Sequence, residues 1–215
     1  MNVVISGASR GIGRALADAY LAGGDRVFGI DVLPGTAEHP NYSHFCCDVR
    51  SGAFPDLPDI QIAVSNAGTL EERDAIDVNL LGAMRFAERY TQSPALRSVL
   101  FIASASARNG AEFPRYVASK AGLVGYMKNL ALSLAKRGVT CNSISPGGVI
   151  TESNRHILES EELYAAVKAE TLLGKWAEPE EIAALALFLT KVNRSITGED
   201  ILIDNGEMLR SNFIW

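Results

Sequence analysis

The chain has 215 residues, 47% hydrophobic and 21% charged, with a formal net charge of −5, which fits one soluble domain, residues 1–215, with a sizeable core. The acidic balance, without a basic cluster, excludes nucleic acid as a partner, and no apolar run is long enough to cross a membrane. Three cysteines cannot all pair, Cys46 and Cys47 lack metal-ligand spacing, and a strand starting at Asn2 leaves no room for a leader; reduced core thiols, no metal and a cytoplasmic location are expected.

Asn2–Ser6 is a β-branched run and predicts a buried strand. Gly7-x-x-x-Gly11-x-Gly13 follows at once, then a helical pattern through Ala15, Leu16, Ala19 and Tyr20 to Gly23-Gly24. Strand, glycine turn and helix form the context in which backbone can approach a pyrophosphate, with the helix N-terminus supplying N–H groups and a positive dipole end. Residues 26–30 predict the second strand, ending at Asp31. A carboxylate there accepts hydrogen bonds from adenosine ribose hydroxyls and repels a 2′-phosphate, which favours NAD over NADP. Residues 33–42 and 51–59 are turn-rich loops, and residues 45–47 predict the third strand. The helix expected after Asp48-Val49 is nearly missing. Residues 60–65 predict the fourth strand, ended by Asn66-Ala67-Gly68. A helix led by Asp77 runs through Ala83, Phe86, Ala87 and Tyr90, and carries Asn79, a poor helix former. Residues 98–103 predict the fifth strand, with Ser104 at its end and a connecting loop at 108–115.

Tyr116 opens an apolar-periodic run through Leu123, Met127, Leu130 and Leu134 to Lys136-Arg137-Gly138, a helix with cations in its last turn and glycine past its end. Tyr116 and Lys120 stand four apart, on one face of that helix. A fixed ammonium beside a phenol favours the phenolate, so the pair suits acid–base work near neutral pH. Residues 139–144 predict the sixth strand, followed by Pro146-Gly147-Gly148-Val149-Ile150-Thr151. Residues 152–175 predict amphipathic helix, lid or both. Glu178-Pro179 starts a helix through Ile182, Leu185 and Leu189, and residues 201–204 predict the last strand. The apolar end of the tail, Phe213, Ile214 and Trp215, suggests docking on a partner subunit or a site. The alternation of strands and helices implies an α/β doubly wound parallel sheet of about seven strands with helices on both faces, and a ligand at the strands' carboxyl ends.

Tyr116-x-x-x-Lys120, with Gly7-Ala8-Ser9-Arg10-Gly11-Ile12-Gly13 before it and Asn66-Ala67-Gly68 between, resembles the short-chain dehydrogenase/reductase family over residues 2–206. The resemblance implies a Rossmann-type fold and reversible hydride transfer between a nicotinamide and a secondary alcohol or ketone. It implies Tyr116 as general acid/base, Lys120 as its cation and as a ribose ligand, Ser104 on the reacting oxygen and Asn79 in a water relay. Ser106 competes with Ser104 for the serine role. Gly7, Ser9, Arg10, Gly11, Ile12 and Gly13 would hold the dinucleotide's phosphates, with Asp48 and Val49 at the adenine. Asn66, Ala67 and Gly68 would pass a ribose, and Pro146, Gly147, Val149 and Thr151 would cover the nicotinamide. An arginine at the Arg10 position is frequent in relatives that use NADPH and argues against Asp31; NAD remains preferred, about two to one. Residues 152–178 would cover the substrate. Homodimers or homotetramers through the helices at 83–90 and 116–136 are implied. Ser65 and Asn205 depart from the family pattern, Ser104 lies one residue nearer Tyr116 than is common, and two segments are short. These departures leave open a catalytically weak, nucleotide-binding regulator; an epimerase or dehydratase would need a larger C-terminal domain.

Overall fold

The computed structural model describes residues 1–111 and 113–209; the apolar end of the tail lies outside the described residues. Seven strands form one parallel sheet in the order β3-β2-β1-β4-β5-β6-β7. They are β1 Asn2–Ser6, β2 Arg26–Asp31, β3 Tyr42–Cys46, β4 Ile62–Ser65, β5 Ser98–Ile102, β6 Thr140–Pro146 and β7 Asp200–Ile203. The helices are α1 Gly11–Ala22, α2 Ala83–Tyr90, α3 Ser106–Asn109, α4 Pro114–Leu134, α5 Arg155–Leu158, α6 Glu161–Ala169 and α7 Pro179–Leu187.

Side chains alternate across a strand, so β1 sends Val3 and Ile5 to one face of the sheet and Val4 to the other. On the first face they join Leu16 and Tyr20 of α1 and Ile182 and Ala186 of α7. On the second, Val4 joins Phe86 of α2 and Leu123 and Met127 of α4. Two apolar layers on a parallel sheet are the reason its central strands are hydrophobic throughout rather than alternating. Burying each such side chain contributes about 1.5–3 kcal/mol. Gly138 ends the α4 segment at φ 66, the left-handed cap that the glycine past Arg137 implied.

Three expectations are corrected. The third strand is Tyr42–Cys46 and not 45–47, because β2 pairs from Val27↔Tyr42 to Asp31↔Cys46. It is the edge strand, so half-buried Tyr42, Ser43 and His44 do not show the apolar run of a central strand. The same edge position leaves Cys46 exposed and Cys47 half-buried, so only Cys141 is a core thiol. The connection at 108–115 is not all loop: α3 and the start of α4 occupy its two ends. Residues 51–59 hold no helix, as the turn-rich sequence implied. Phe54 instead packs edge-on against Phe86 at 5.8 Å between ring centres, and Tyr90 Oη donates to the Pro55 carbonyl at 3.1 Å. Among the described residues, no helix is long and apolar enough to cross a membrane.

Candidate functional site

The carboxyl ends of the central strands open into one cleft of about 910 Å³. Gly7, Arg10, Gly11, Ile12, Asp31, Asp48, Val49, Asn66, Ala67 and Gly68 line it, as do Ser104, Tyr116, Lys120, Pro146, Gly147, Val149 and Thr151. Three predicted residues, Ser9, Gly13 and Asn79, do not form its surface.

Close packing shapes the glycine turn. Gly7 has φ 70, and a Cβ there would lie 2.8 Å from Ala67 Cα. A Cβ on Gly13 would overlap the Gly7 carbonyl oxygen and lie 2.5 Å from Asn66 Nδ2. Gly13 therefore seats α1 against the turn, and the other glycines leave the backbone bare toward the cleft. No side chain caps the N-terminus of α1 at Arg10. These bare amides fit the phosphates of a dinucleotide. Ser9 faces the other way: its Oγ donates to the Leu33 carbonyl at 3.4 Å, and its carbonyl accepts from Thr36 Oγ1 at 2.7 Å.

Asn66 ties this turn to β4. Its Nδ2 donates to the Ser6 and Gly7 carbonyls at 3.2 and 2.9 Å, and Ser6 Oγ accepts from the Asn66 and Ala67 amides. Ser6 was missed in the sequence because its partners lie about sixty residues away. Asn66→Ala is expected to cost about 1–3 kcal/mol through the unpaired carbonyls and to weaken dinucleotide binding. Thermal denaturation with and without NADH checks both.

At the adenine end, Asp31 accepts the Ser9 amide on Oδ2 and the Leu33 amide on Oδ1, both at 3.0 Å. The pair of bonds holds the carboxylate at the end of β2. Arg50 grips Asp48 with Nε and Nη2 at 2.9 and 2.7 Å from Oδ2, and reaches Asp74 at 3.6 Å. That guanidinium holds the Asp48 carboxyl below its ordinary range. Arg50 had no sequence signal beyond its charge. Val49 is buried under Gly82, where a Cβ would lie 2.6 Å from Val49 Cγ2.

At the other end, Lys120 is 5% exposed. Its Nζ donates to the Ile102 carbonyl at 2.9 Å and stands 5.8 Å from the centre of the Tyr116 ring. A Cβ on Gly68 would lie 3.4 Å from that Nζ, so the glycine leaves room for the cation. Ser104 and Ser106 are joined to each other: Ser106 Oγ donates to Ser104 Oγ at 2.9 Å, and its amide donates to the same oxygen at 3.2 Å. Asn79 sits in a wide π-type turn over Ile76–Gly82, a local distortion that breaks regular helix. Its amide spans Thr69 and α4: Oδ1 accepts the Thr69 amide at 2.7 Å, and Nδ2 donates to the Thr69 carbonyl and to Ser119 Oγ at 3.0 and 3.1 Å. Ser119 Oγ donates in turn to the Tyr116 carbonyl at 2.7 Å. Asn79 thus braces the first turn of α4 from behind.

Thr151 lies against the glycine turn, 3.3 Å from where a Cβ on Gly11 would stand. Val149 bridges to Ala177, and its carbonyl accepts from Asn154 Nδ2 at 2.8 Å. Residues 152–175 contain α5 and α6, from which Ile157 and Val167 line the cleft, with Trp176 just beyond.

A family model described as Enoyl-(Acyl carrier protein) reductase matches residues 7–207. The chain belongs to the short-chain dehydrogenase/reductase family. It is 28% identical over 244 residues to the L-rhamnose 1-dehydrogenase (NADP(+)) of Thermoplasma acidophilum, covering 97% of this chain and 96% of that one. It is 29% identical over 236 residues to the 3-oxoacyl-[acyl-carrier-protein] reductase of Salmonella typhimurium, covering 94% and 95%. The ligand-free aldohexose dehydrogenase of T. acidophilum superposes with a TM-score of 0.88 at 26% identity, over all of this chain and 96% of that one. The chain is accordingly an enzyme, a short-chain dehydrogenase/reductase, and the fold around its cleft is the family's Rossmann-like sheet.

Proposed function

We propose that the enzyme interconverts a secondary alcohol and its ketone with a nicotinamide dinucleotide, with Tyr116 as general acid/base. The observation that carries this is the meeting of Tyr116, Lys120 and Ser104 with the bare glycine turn in one cleft. The dinucleotide, when bound, accepts or supplies the hydride; the chain positions the reactants and moves the proton. Tyr116 takes the hydroxyl proton in oxidation and returns it in reduction. Lys120, held by the Ile102 carbonyl, keeps positive charge beside the Tyr116 ring and binds a ribose hydroxyl. Ser104 orients the reacting oxygen, and Ser106 sets the direction of its hydroxyl. Gly7, Arg10, Gly11 and Ile12 hold the phosphates, and Pro146, Gly147, Val149 and Thr151 cover the nicotinamide. Residues 152–178 close over the substrate within one domain spanning the chain. The protein works in the cytoplasm as a homodimer or homotetramer.

NAD is the preferred cofactor, because a carboxylate at the end of β2, Asp31, would repel a 2′-phosphate. Arg10 lines the same cleft and the rhamnose relative is named for NADP, so the preference rests on Asp31. Calorimetric titration with NADH and NADPH tests this: NADH should bind at least about tenfold tighter, and Asp31→Ser should shift the balance toward NADPH. Tighter binding of NADPH to the unaltered protein would reverse the cofactor assignment, and binding of neither would remove the dinucleotide reading.

A further inference from the structure

The motifs account for one half of the cleft's chemistry and leave a carboxylate on its wall unexplained. Glu207 follows β7, and its side chain lines the cleft with Tyr116 and Ser104. Its position is traceable bond by bond. The Ala105 amide, next to Ser104, donates to the Pro146 carbonyl at 2.8 Å. The next residue is Gly147, where a Cβ would lie 3.0 Å from Glu207 Oε2. Gly147 therefore gives the carboxylate room beside the segment that leaves β6. The Glu207 carboxylate makes no hydrogen bond or ion pair among the described residues, whereas the carboxylate of neighbouring Asp204 accepts the Gly206 and Met208 amides. Burial, then the charges of Asp204 and Glu170, push the Glu207 carboxyl above its ordinary range. A half-buried carboxylate facing a cleft without a protein donor is an acceptor waiting for one.

The charges around it narrow the partner. The cations among the described lining residues are Arg10, Arg50 and Lys120. Arg10 and Arg50 belong to the glycine turn and the Asp48–Asp74 pair, and Lys120 donates to the Ile102 carbonyl. Glu170 lies on the same wall as Glu207, so a bound anion there meets like charge. Neutral polar groups, among them Asn109, Asn154 and Ser106, also line the cleft.

We infer that Glu207 is a specificity residue that accepts a hydrogen bond from a hydroxyl of a neutral, polyhydroxylated substrate and turns away anionic ones such as aldonates and coenzyme A thioesters. This rests on the carbinol–ketone reading of the same cleft and names its substrate class. A site built to accept from a substrate hydroxyl loses that partner's energy when the hydroxyl is missing or replaced by a carboxylate.

The test is steady-state kinetics with saturating dinucleotide on aldohexoses and hexitols, including glucose and sorbitol, on the matching aldonates, including gluconate, and on acetoacetyl-CoA in reduction. The unaltered enzyme should favour neutral polyols over aldonates by at least about tenfold in kcat/KM. Glu207→Gln removes the charge and keeps the shape, and should narrow that ratio at least about fivefold by improving the aldonates. Glu207→Leu should raise KM for the polyols about tenfold while melting temperature and NADH affinity stay put, a split that a merely structural role would not produce. An unchanged ratio in Glu207→Gln, or a preference of the unaltered enzyme for aldonate, acyl thioester or an amino alcohol, overturns the inference and leaves the hydride-transfer reading standing. Turnover of none of these compounds overturns both.

Discussion

Tyr116→Phe is expected to lower kcat by about 10²–10⁴-fold while leaving NADH affinity nearly unchanged, because on the proposed mechanism only the hydroxyl that transfers the proton is lost. The ring stays, so the packing of the first turn of α4 stays. Ser119 bonds the Tyr116 backbone carbonyl and not its side chain, so that brace survives as well. Lys120 keeps its bond to the Ile102 carbonyl. Binding and chemistry therefore separate cleanly in this variant. Rates measured under saturating substrate, alongside calorimetric titration with NADH, read the two independently. Full activity in Tyr116→Phe would end the acid–base assignment; loss of NADH binding would show that the hydroxyl holds the turn or the dinucleotide instead.

Gly13→Ala should have an effect of similar size on binding, for a steric reason. The added methyl would overlap the Gly7 carbonyl and press on Asn66 Nδ2 at 2.5 Å. Both are fixed: the carbonyl is backbone, and the amide is tied to Ser6 and Gly7. The turn has to open or α1 has to move, at a cost of about 1–3 kcal/mol or more. Opening it also displaces the amides proposed to hold the phosphates, so dinucleotide binding should fall beyond measurement while the protein still shows a cooperative, lowered melting transition. Gly125→Ala is the matched control. It lies in α4 with nothing within 4 Å of an added Cβ, and should gain about 0.5–1 kcal/mol from helix propensity. A Gly13→Ala protein that melts and binds like the parent would mean that the turn does not seat α1 as described.

These two sites differ in how they could be found. Tyr116 and Lys120 are four apart on one helix, so their shared face follows from local geometry alone. The glycine turn lies between a β-branched run and an apolar helix, and that context too is local. For the same reason a parallel sheet of about seven strands and the crowding of motifs at their carboxyl ends were legible from periodicity and punctuation. The Asn79 case is intermediate. A mid-helix Asn announces a purpose, yet its bonds to Thr69 and Ser119 come from elements ten and forty residues away.

What the sequence determined by itself was therefore the parallel fold, the glycine turn and the shared face of Tyr116 and Lys120, because each rests on contacts within one turn or one strand–turn–helix unit. The tertiary structure alone decided the span of β3, whose edge position suppresses the apolar pattern that would mark it. It also decided the clamp of Arg50 on Asp48 and Asp74, and the use of Ser6 to anchor Asn66. Above all it set Glu207 beside Gly147, sixty residues away in the chain. Packing β6 against β7 brings those two together, and no local preference of either residue encodes that neighbourhood.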